Sequence, residues 1–261
     1  MVMNMKNKLN EIINQSNEKL CILVHDMKEN KTLYQHNQNV QVVSASTIKV
    51  PIMLYALNEV KNGNITLDTE LYVSKEIILE DSEVFEHGPR NASLYELLMW
   101  MIIKSDNTST NVLINYFTMN KINEYCETVL ETKSTSVQRI MLDFDAITQG
   151  KNNYTSQEDL CKMFIKLYNK EILDEQLCEV AMSILLNQRC QDQIVRYIYD
   201  PVQYAHKTGD LDYLHHDAGI MHINNKWYYI GCSVKSNNNI HGNYPLIGKI
   251  GRMIYDEIKG Q

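Results

Sequence analysis

The stretch Val43–Ser44–Ala45–Ser46–Thr47–Ile48–Lys49–Val50–Pro51 (VSASTIKVP) joins two kinds of sequence. Before it, Lys19 to Met27 (KLCILVHDM) reads as a strand, Glu29–Asn30–Lys31 as a turn, and Thr32 to Tyr34 as the start of a second strand, which together predict a hairpin. After it, a helical period runs through Val60 to a C-cap at Asn62–Gly63. Pro51 has no backbone donor and so suits a place close to that helix's first turn. The stretch therefore marks where strands give way to helices, and it carries Ser46-x-x-Lys49. On a helix, positions i and i+3 share a face, so Ser46 Oγ and Lys49 Nζ can meet. A lysine desolvated beside other cations loses proton affinity, and its neutral amine can take a serine proton. The spacing alone is weak, since Ser16–Asn17–Glu18–Lys19 repeats it with nothing apolar to desolvate the lysine.

Downstream the pattern stays helical. Ser93–Leu94–Tyr95–Glu96 is a capping box opening LLMWMII, and Thr155–Ser156–Gln157–Glu158 is another, opening EDLCKMFIKLY. Between them Arg139 to Tyr154 reads as a long loop, and loops of that length are often functional. Strands return at Tyr204 to Gly209, Asp217 to Ile223 and Lys226 to Val234, with Asn224–Asn225 suited to a tight hairpin turn. Helices at Met5 to Ile13 and Leu246 to Ile258 sit at the two ends. The predicted fold is α/β of the α+β type. One antiparallel sheet is built from both chain ends and flanked by terminal helices, beside an inserted all-helical lobe. The sheet lobe covers 1–43 plus 203–261 and the helical lobe 44–202, within one domain.

The 261 residues, 44% hydrophobic and 22% charged, suffice for such a core. A net charge of −7 with no long basic run argues against nucleic acid or an anionic membrane as partner. Six cysteines without a C-x-x-C pair lack the spacing of a zinc or dithiol site and are expected as free thiols. The eight histidines contain no H-E-x-x-H, so neither a metal nor another cofactor is expected. No run of ~18 apolar residues predicts a membrane span. The N-terminus lacks the ~7–15 apolar residues of a signal peptide, which predicts a cytoplasmic chain, and a monomer is expected.

Two further tripeptides carry chemistry. Ser105–Asp106–Asn107 lies between two apolar helices, where Asp106 or Thr108 can be an N-cap and Ser105 and Asn107 can act as proton relay and amide-binding donor. Lys207–Thr208–Gly209 ends a strand, offering a positive charge, a hydroxyl and a close backbone approach. Taken with Ser46–Lys49, they form the set S-x-x-K, S-D-N and K-T-G, in that order. On these motifs the chain resembles the class A β-lactamases and penicillin-binding serine hydrolases from about Lys19 to its C-terminus.

The resemblance implies a small-molecule substrate, a β-lactam or a peptide. Ser46 would be the acylated nucleophile, Lys49 would assist its deprotonation, and Ser105 would pass a proton to the leaving nitrogen. Asn107 would hold the substrate's side-chain amide, while Lys207 and Thr208 would bind its carboxylate beside Gly209. Backbone N–H groups of Ser46 and Asp210 would form the oxyanion hole.

One departure matters. The hydrolytic class A enzymes carry E-x-x-L-N on the loop before the helix that begins here at Ser156, and that glutamate activates the deacylating water. This chain has no glutamate from Lys133 to Gln157. Asp143 and Asp145 are the loop's candidate replacements, each a methylene shorter. Three readings follow: a β-lactamase, a D-alanyl-D-alanine carboxypeptidase-like or other penicillin-binding hydrolase that releases β-lactams slowly, and a non-enzymatic β-lactam or peptide binder.

Overall fold

The computed structural model describes residues 2–236 and 243–260. The chain begins with helix α1 (Val2–Gln15), the hairpin β1 (Lys19–Asp26) and β2 (Lys31–His36), and the short strand β3 (Val42–Val43). A single 3-10 turn, Ala45–Ile48, leads into α2 (Lys49–Lys61). The lobe then runs through β4 (Glu70–Val73), β5 (Arg90–Ser93), α3 (Leu94–Ile103), α4 (Asn107–Phe117), α5 (Met119–Thr128) and the short α6 (Phe144–Thr148). Strand β6 (Tyr154–Thr155) and helices α7 (Gln157–Tyr168) and α8 (Glu175–Leu186) complete it. Strands β7 (Tyr204–Leu211), β8 (Leu214–Ile223) and β9 (Lys226–Lys235) precede α9 (Asn243–Lys259).

The main sheet is antiparallel in the order β2-β1-β9-β8-β7, so the N-terminal hairpin and the C-terminal strands form one sheet, as expected, joined by the β1–β9 pairing. Asn224 and Asn225 both have positive φ, +49° and +61°, the geometry that a two-residue hairpin between β8 and β9 requires. Side chains alternate across the sheet. Leu20, Ile22 and Val24 of β1 join Ile230, Cys232 and Val234 of β9 under α1 and α9. Leu23, Ala205, Ala218, Ile220 and Tyr229 face the helices, where Ile52, Met53 and Leu54 of α2 are fully buried. Burial on both faces explains why β1 reads as a nearly continuous apolar run.

The inserted lobe is not purely helical. Strands β4 and β5 form a two-stranded ribbon and β3 pairs with β6, and strands of two to four residues are too short for a period to show in sequence. Near the other end of the lobe, Ile194 and Ile198 already pack with α1 and α9. Gly251 permits this contact, since a Cβ there would lie 2.2 Å from Ile194 O.

Caps were legible, with one shift. Ser93 Oγ accepts from Glu96 N at 3.2 Å, but the Glu96 carboxylate turns to Arg90 instead of completing a box. At α7 the cap is Ser156, accepting from Asp159 N, one residue later than the Thr155–Glu158 reading. Asp159 is the better partner because its carboxylate also takes the N–H groups of Lys133 and Ser134 at the base of the long loop. All six cysteines are free thiols, five of them buried and Cys190 half-buried.

Candidate active site

Each of the three motifs sits on a different element, and the fold brings them to one cleft. Ser46 lies in the 3-10 turn and is half-buried. Its neighbour Ala45 has φ +45°, a left-handed conformation that costs an L-residue about 1–2 kcal/mol and turns the chain sharply ahead of Ser46. Lys49 is the first residue of α2 and is fully buried. Pro51 falls two residues later, still within the first turn, where its missing N–H costs nothing.

Ser105 occupies the turn between α3 and α4 and also has a positive φ, +57°. Asp106 holds that turn: it N-caps α4 by accepting from Ser109 N at 2.6 Å, and its other oxygen accepts from Ser82 Oγ at 2.6 Å. Of the two candidate caps, Asp106 is therefore the one used. On the facing wall, β7 brings Lys207, fully buried, and Gly209 against the nucleophile's turn. A Cβ on Gly209 would sit 3.0 Å from Ser46 N and 3.1 Å from Ser44 O, a contact only glycine leaves room for. The glycine serves this close approach, with no bulge in the β7–β8 register.

The hydrogen bonds converge on Ser105. Lys49 Nζ donates to Ser105 O at 2.5 Å, to Ser105 Oγ at 3.1 Å and to Asn107 Oδ1 at 2.8 Å. Lys207 Nζ donates to the same Ser105 Oγ at 3.1 Å and to Thr208 O at 2.8 Å. One hydroxyl thus bridges two buried lysines. The expected Ser46–Lys49 hydrogen bond is not among those of the described residues; Lys49 reaches across the cleft, where three acceptors match its three donors.

Burial, and then the charge of Lys207 beside it, holds the Lys49 ammonium well below the ordinary lysine range, while Asp106 and Asp81 pull the other way. Burial also brings Lys207 down from 10.5 to about 8. Such a pair can hold a neutral amine next to a positive charge, as proton abstraction and anion binding in one cleft require.

Behind the nucleophile runs a buried chain that the sequence did not reveal. Tyr229 OH donates to Gln157 Oε1 at 2.8 Å, Gln157 Nε2 donates to Ser233 Oγ at 2.6 Å, and Ser233 Oγ lies 2.6 Å from His216 Nδ1. His216 Nε2 is 2.8 Å from Val43 O, the carbonyl just ahead of Ser44. Burial lowers His216 to about 4, so the ring is neutral; Ser233 can donate to Nδ1 and Nε2–H to Val43 O. Every group in the chain is then satisfied. Scattered single residues at 43, 157, 216, 229 and 233 leave no sequence signal for it.

The long loop is built differently. Asn153 accepts from Gln138 N and Arg139 N and donates to Arg139 O, and Asn123 clamps Val137. Asn111, one turn beyond Asn107 on α4, clamps Met141 at both N–H and C=O, at 2.6 and 3.1 Å. The loop residue that this clamp holds is thus a buried methionine. Asp143 N-caps α6 by accepting from Ala146 N at 2.9 Å, and Asp145 is exposed in that helix's first turn. Neither is hydrogen-bonded to Ser46, Lys49 or Ser105 among the described residues. Asp210, following the K-T-G, directs its carboxylate to Gln193 and His215 at 2.9 Å each.

The sequence profile described as the β-lactamase enzyme family matches residues 4–258. The chain belongs to the β-lactamase enzyme family. Solved structures agree at the level of fold. A β-lactamase from Chitinophaga pinensis is 20% identical, covers 97% of this chain and 99% of its own, and superposes with a TM-score of 0.90. The TLA-3 extended-spectrum β-lactamase is 20% identical over 99% of this chain and 100% of its own, with a TM-score of 0.92. A variant of PBP-A, an acyl-enzyme complex with penicillin G, is 22% identical over 99% and 97%, with a TM-score of 0.89. No curated protein sequence matches significantly. Among the described residues no helix is long and apolar enough to cross a membrane, and no cluster of metal-ligating side chains occurs.

Proposed function

We propose that this β-lactamase-family chain is a serine hydrolase that opens the β-lactam ring through an acyl-enzyme on Ser46, acting as a monomer and without a metal or other cofactor. The observation that carries this reading is the single Ser105 hydroxyl held at 3.1 Å from both Lys49 Nζ and Lys207 Nζ. Lys49 rests as an ammonium with three donors engaged; burial lowers its proton affinity, and once it has released one proton its free amine takes the Ser46 proton as Oγ attacks the lactam carbonyl. Negative charge develops on the carbonyl oxygen, which the N–H groups of Ser46 and Asp210 receive. Lys49 returns the proton through Ser105 to the lactam nitrogen as the C–N bond breaks. Lys207 and Thr208 hold the substrate carboxylate, and Asn107 the side-chain amide.

A specific observation favours slow release of the acyl group, and with it the reading of a penicillin-binding hydrolase acting on a peptide or ester. The loop residue clamped by Asn111 is Met141, which has no proton-accepting group for a water. Asp143 and Asp145 are the acids this loop offers instead, the first already accepting from Ala146 N. The test is intact-mass spectrometry after mixing with benzylpenicillin, with Ser46→Ala alongside. An adduct of the penicillin's mass on the native chain and none on Ser46→Ala supports the reading. An adduct that survives the substitution, or none on either with the penicillin left unopened, overturns it.

A further inference from the structure

The Asn107 amide has a second partner. Its Oδ1 accepts from Lys49, while its Nδ2 donates to Asp81 Oδ2 at 2.9 Å. Asp81 is exposed, yet its segment is not free to swing. Leu79 N donates to Thr108 Oγ1 at 2.9 Å and Ser82 Oγ to Asp106 Oδ2 at 2.6 Å, so the residues on either side of Asp81 are tied to the start of α4. Among the described residues Asp81 has no ion-pair partner within 4 Å.

An amide nitrogen has two hydrogens about 120° apart, and one is spent on Asp81. An acyl carbonyl taken by the other hydrogen would lie about 5 Å from the Asp81 carboxylate, given hydrogen bonds of ordinary length. The carbon next to that carbonyl is then within reach of Asp81. A carbonyl oxygen gains nothing from a carboxylate at that range, whereas an ammonium on the adjacent carbon can bridge to it.

We infer that Asp81 is a specificity-determining residue that selects acyl groups carrying an ammonium on the carbon next to the carbonyl, as in an α-aminoacyl group or a peptide N-terminus. The inference rests on the reading that Asn107 receives the acyl side chain of a Ser46 substrate. At about 5 Å in a solvent-exposed cleft the effect of the charge is about fourfold in rate for each unit charge on the ligand.

Three penicillins that differ only at that carbon test it: benzylpenicillin, its α-amino derivative and its α-carboxy derivative. Acylation rate constants are read by intact mass for the native chain, Asp81→Asn and Asp81→Ala. The expected result is native preference in the order amino, neutral, carboxy. Both variants should compress the amino-to-carboxy ratio by on the order of tenfold. A ratio unchanged by either substitution, or three rates that fall together, overturns the inference while leaving Ser46 acylation standing. The second of these would mean that Asp81 only orients Asn107. No adduct from any of the three removes the acylation reading and this inference with it.

Discussion

The two walls of the cleft use polar residues in opposite ways. Where α2, the α3–α4 turn and β7 meet, polar groups are left facing one another: the buried Lys49 and Lys207 share the hydroxyl of the half-buried Ser105, and the lysines' proton affinity is pulled down by burial. In the loop from Lys133 to Asn153, the polar side chains are spent on backbone. Asn111, Asn123, Asn153 and Asp159 each close two or more main-chain hydrogen bonds, and Asp143 closes one as a cap. Buried polar residues are therefore not equivalent. Those that satisfy the main chain stabilise, and those that confront each other are available for chemistry, at a cost in stability that the rest of the fold carries.

The largest effect that would break this contrast is at Lys49. Lys49→Met keeps the volume and removes the amine, so acylation should fall about 1000-fold. The melting temperature should hold or rise, because a buried ammonium is replaced by an apolar group. A drop in stability with acylation intact would mean that Lys49 is a structural residue.

Next in size is a pH effect. Lys207 titrates near 8 in the folded chain, so the acylation rate constant for a carboxylate-bearing β-lactam should fall above that pH, about tenfold by one unit beyond it. Stability should move the opposite way. The folded value lies below the ordinary 10.5, so between about 8 and 10.5 the unfolded chain holds the extra proton, and the Lys207 contribution to stability rises with pH. Rate and urea-denaturation profiles over this window check both signs.

The smallest effect on chemistry is expected in the loop. Asn153→Ala leaves three main-chain groups without their partner and should cost about 2 kcal/mol, or about 4–8 °C in melting temperature. Acylation by benzylpenicillin should stay within about threefold of native, since the bonds lost lie in the loop and not between the lysines. A loss of acylation as large as that of Lys49→Met would erase the distinction between the walls.

The sequence carried the first wall well and the second poorly, for a physical reason. Ser46, Lys49, Ser105, Asn107 and Lys207 stand in short local patterns whose order along the chain matches the elements that bear them, so the fold had only to bring three turns together. The apolar run of β1, and Asn224–Asn225 between β8 and β9, likewise made strands and a hairpin legible, though not the order of the sheet. The clamp of Asn111 on Met141, the Tyr229–Gln157–Ser233–His216 chain and the Asp81–Asn107 bond join residues up to 76 positions apart. No local period or motif records such pairs. The Arg139 to Tyr154 loop was legible as a loop, but whether its aspartates cap or catalyse depends on partners that only the folded chain supplies.

On the proposed reading Lys49, Ser105 and Lys207 support acylation of Ser46, while the Asn111 clamp holds Met141, a side chain that cannot activate a water. A chromogenic cephalosporin mixed in excess with the native chain and followed from milliseconds to hours tests this most directly. A burst of one ring opened per chain is expected, followed by a phase slower by at least about 100-fold, the lower range of what a positioned general base contributes. Linear turnover from the first point, with no burst and no persistent adduct, would contradict it.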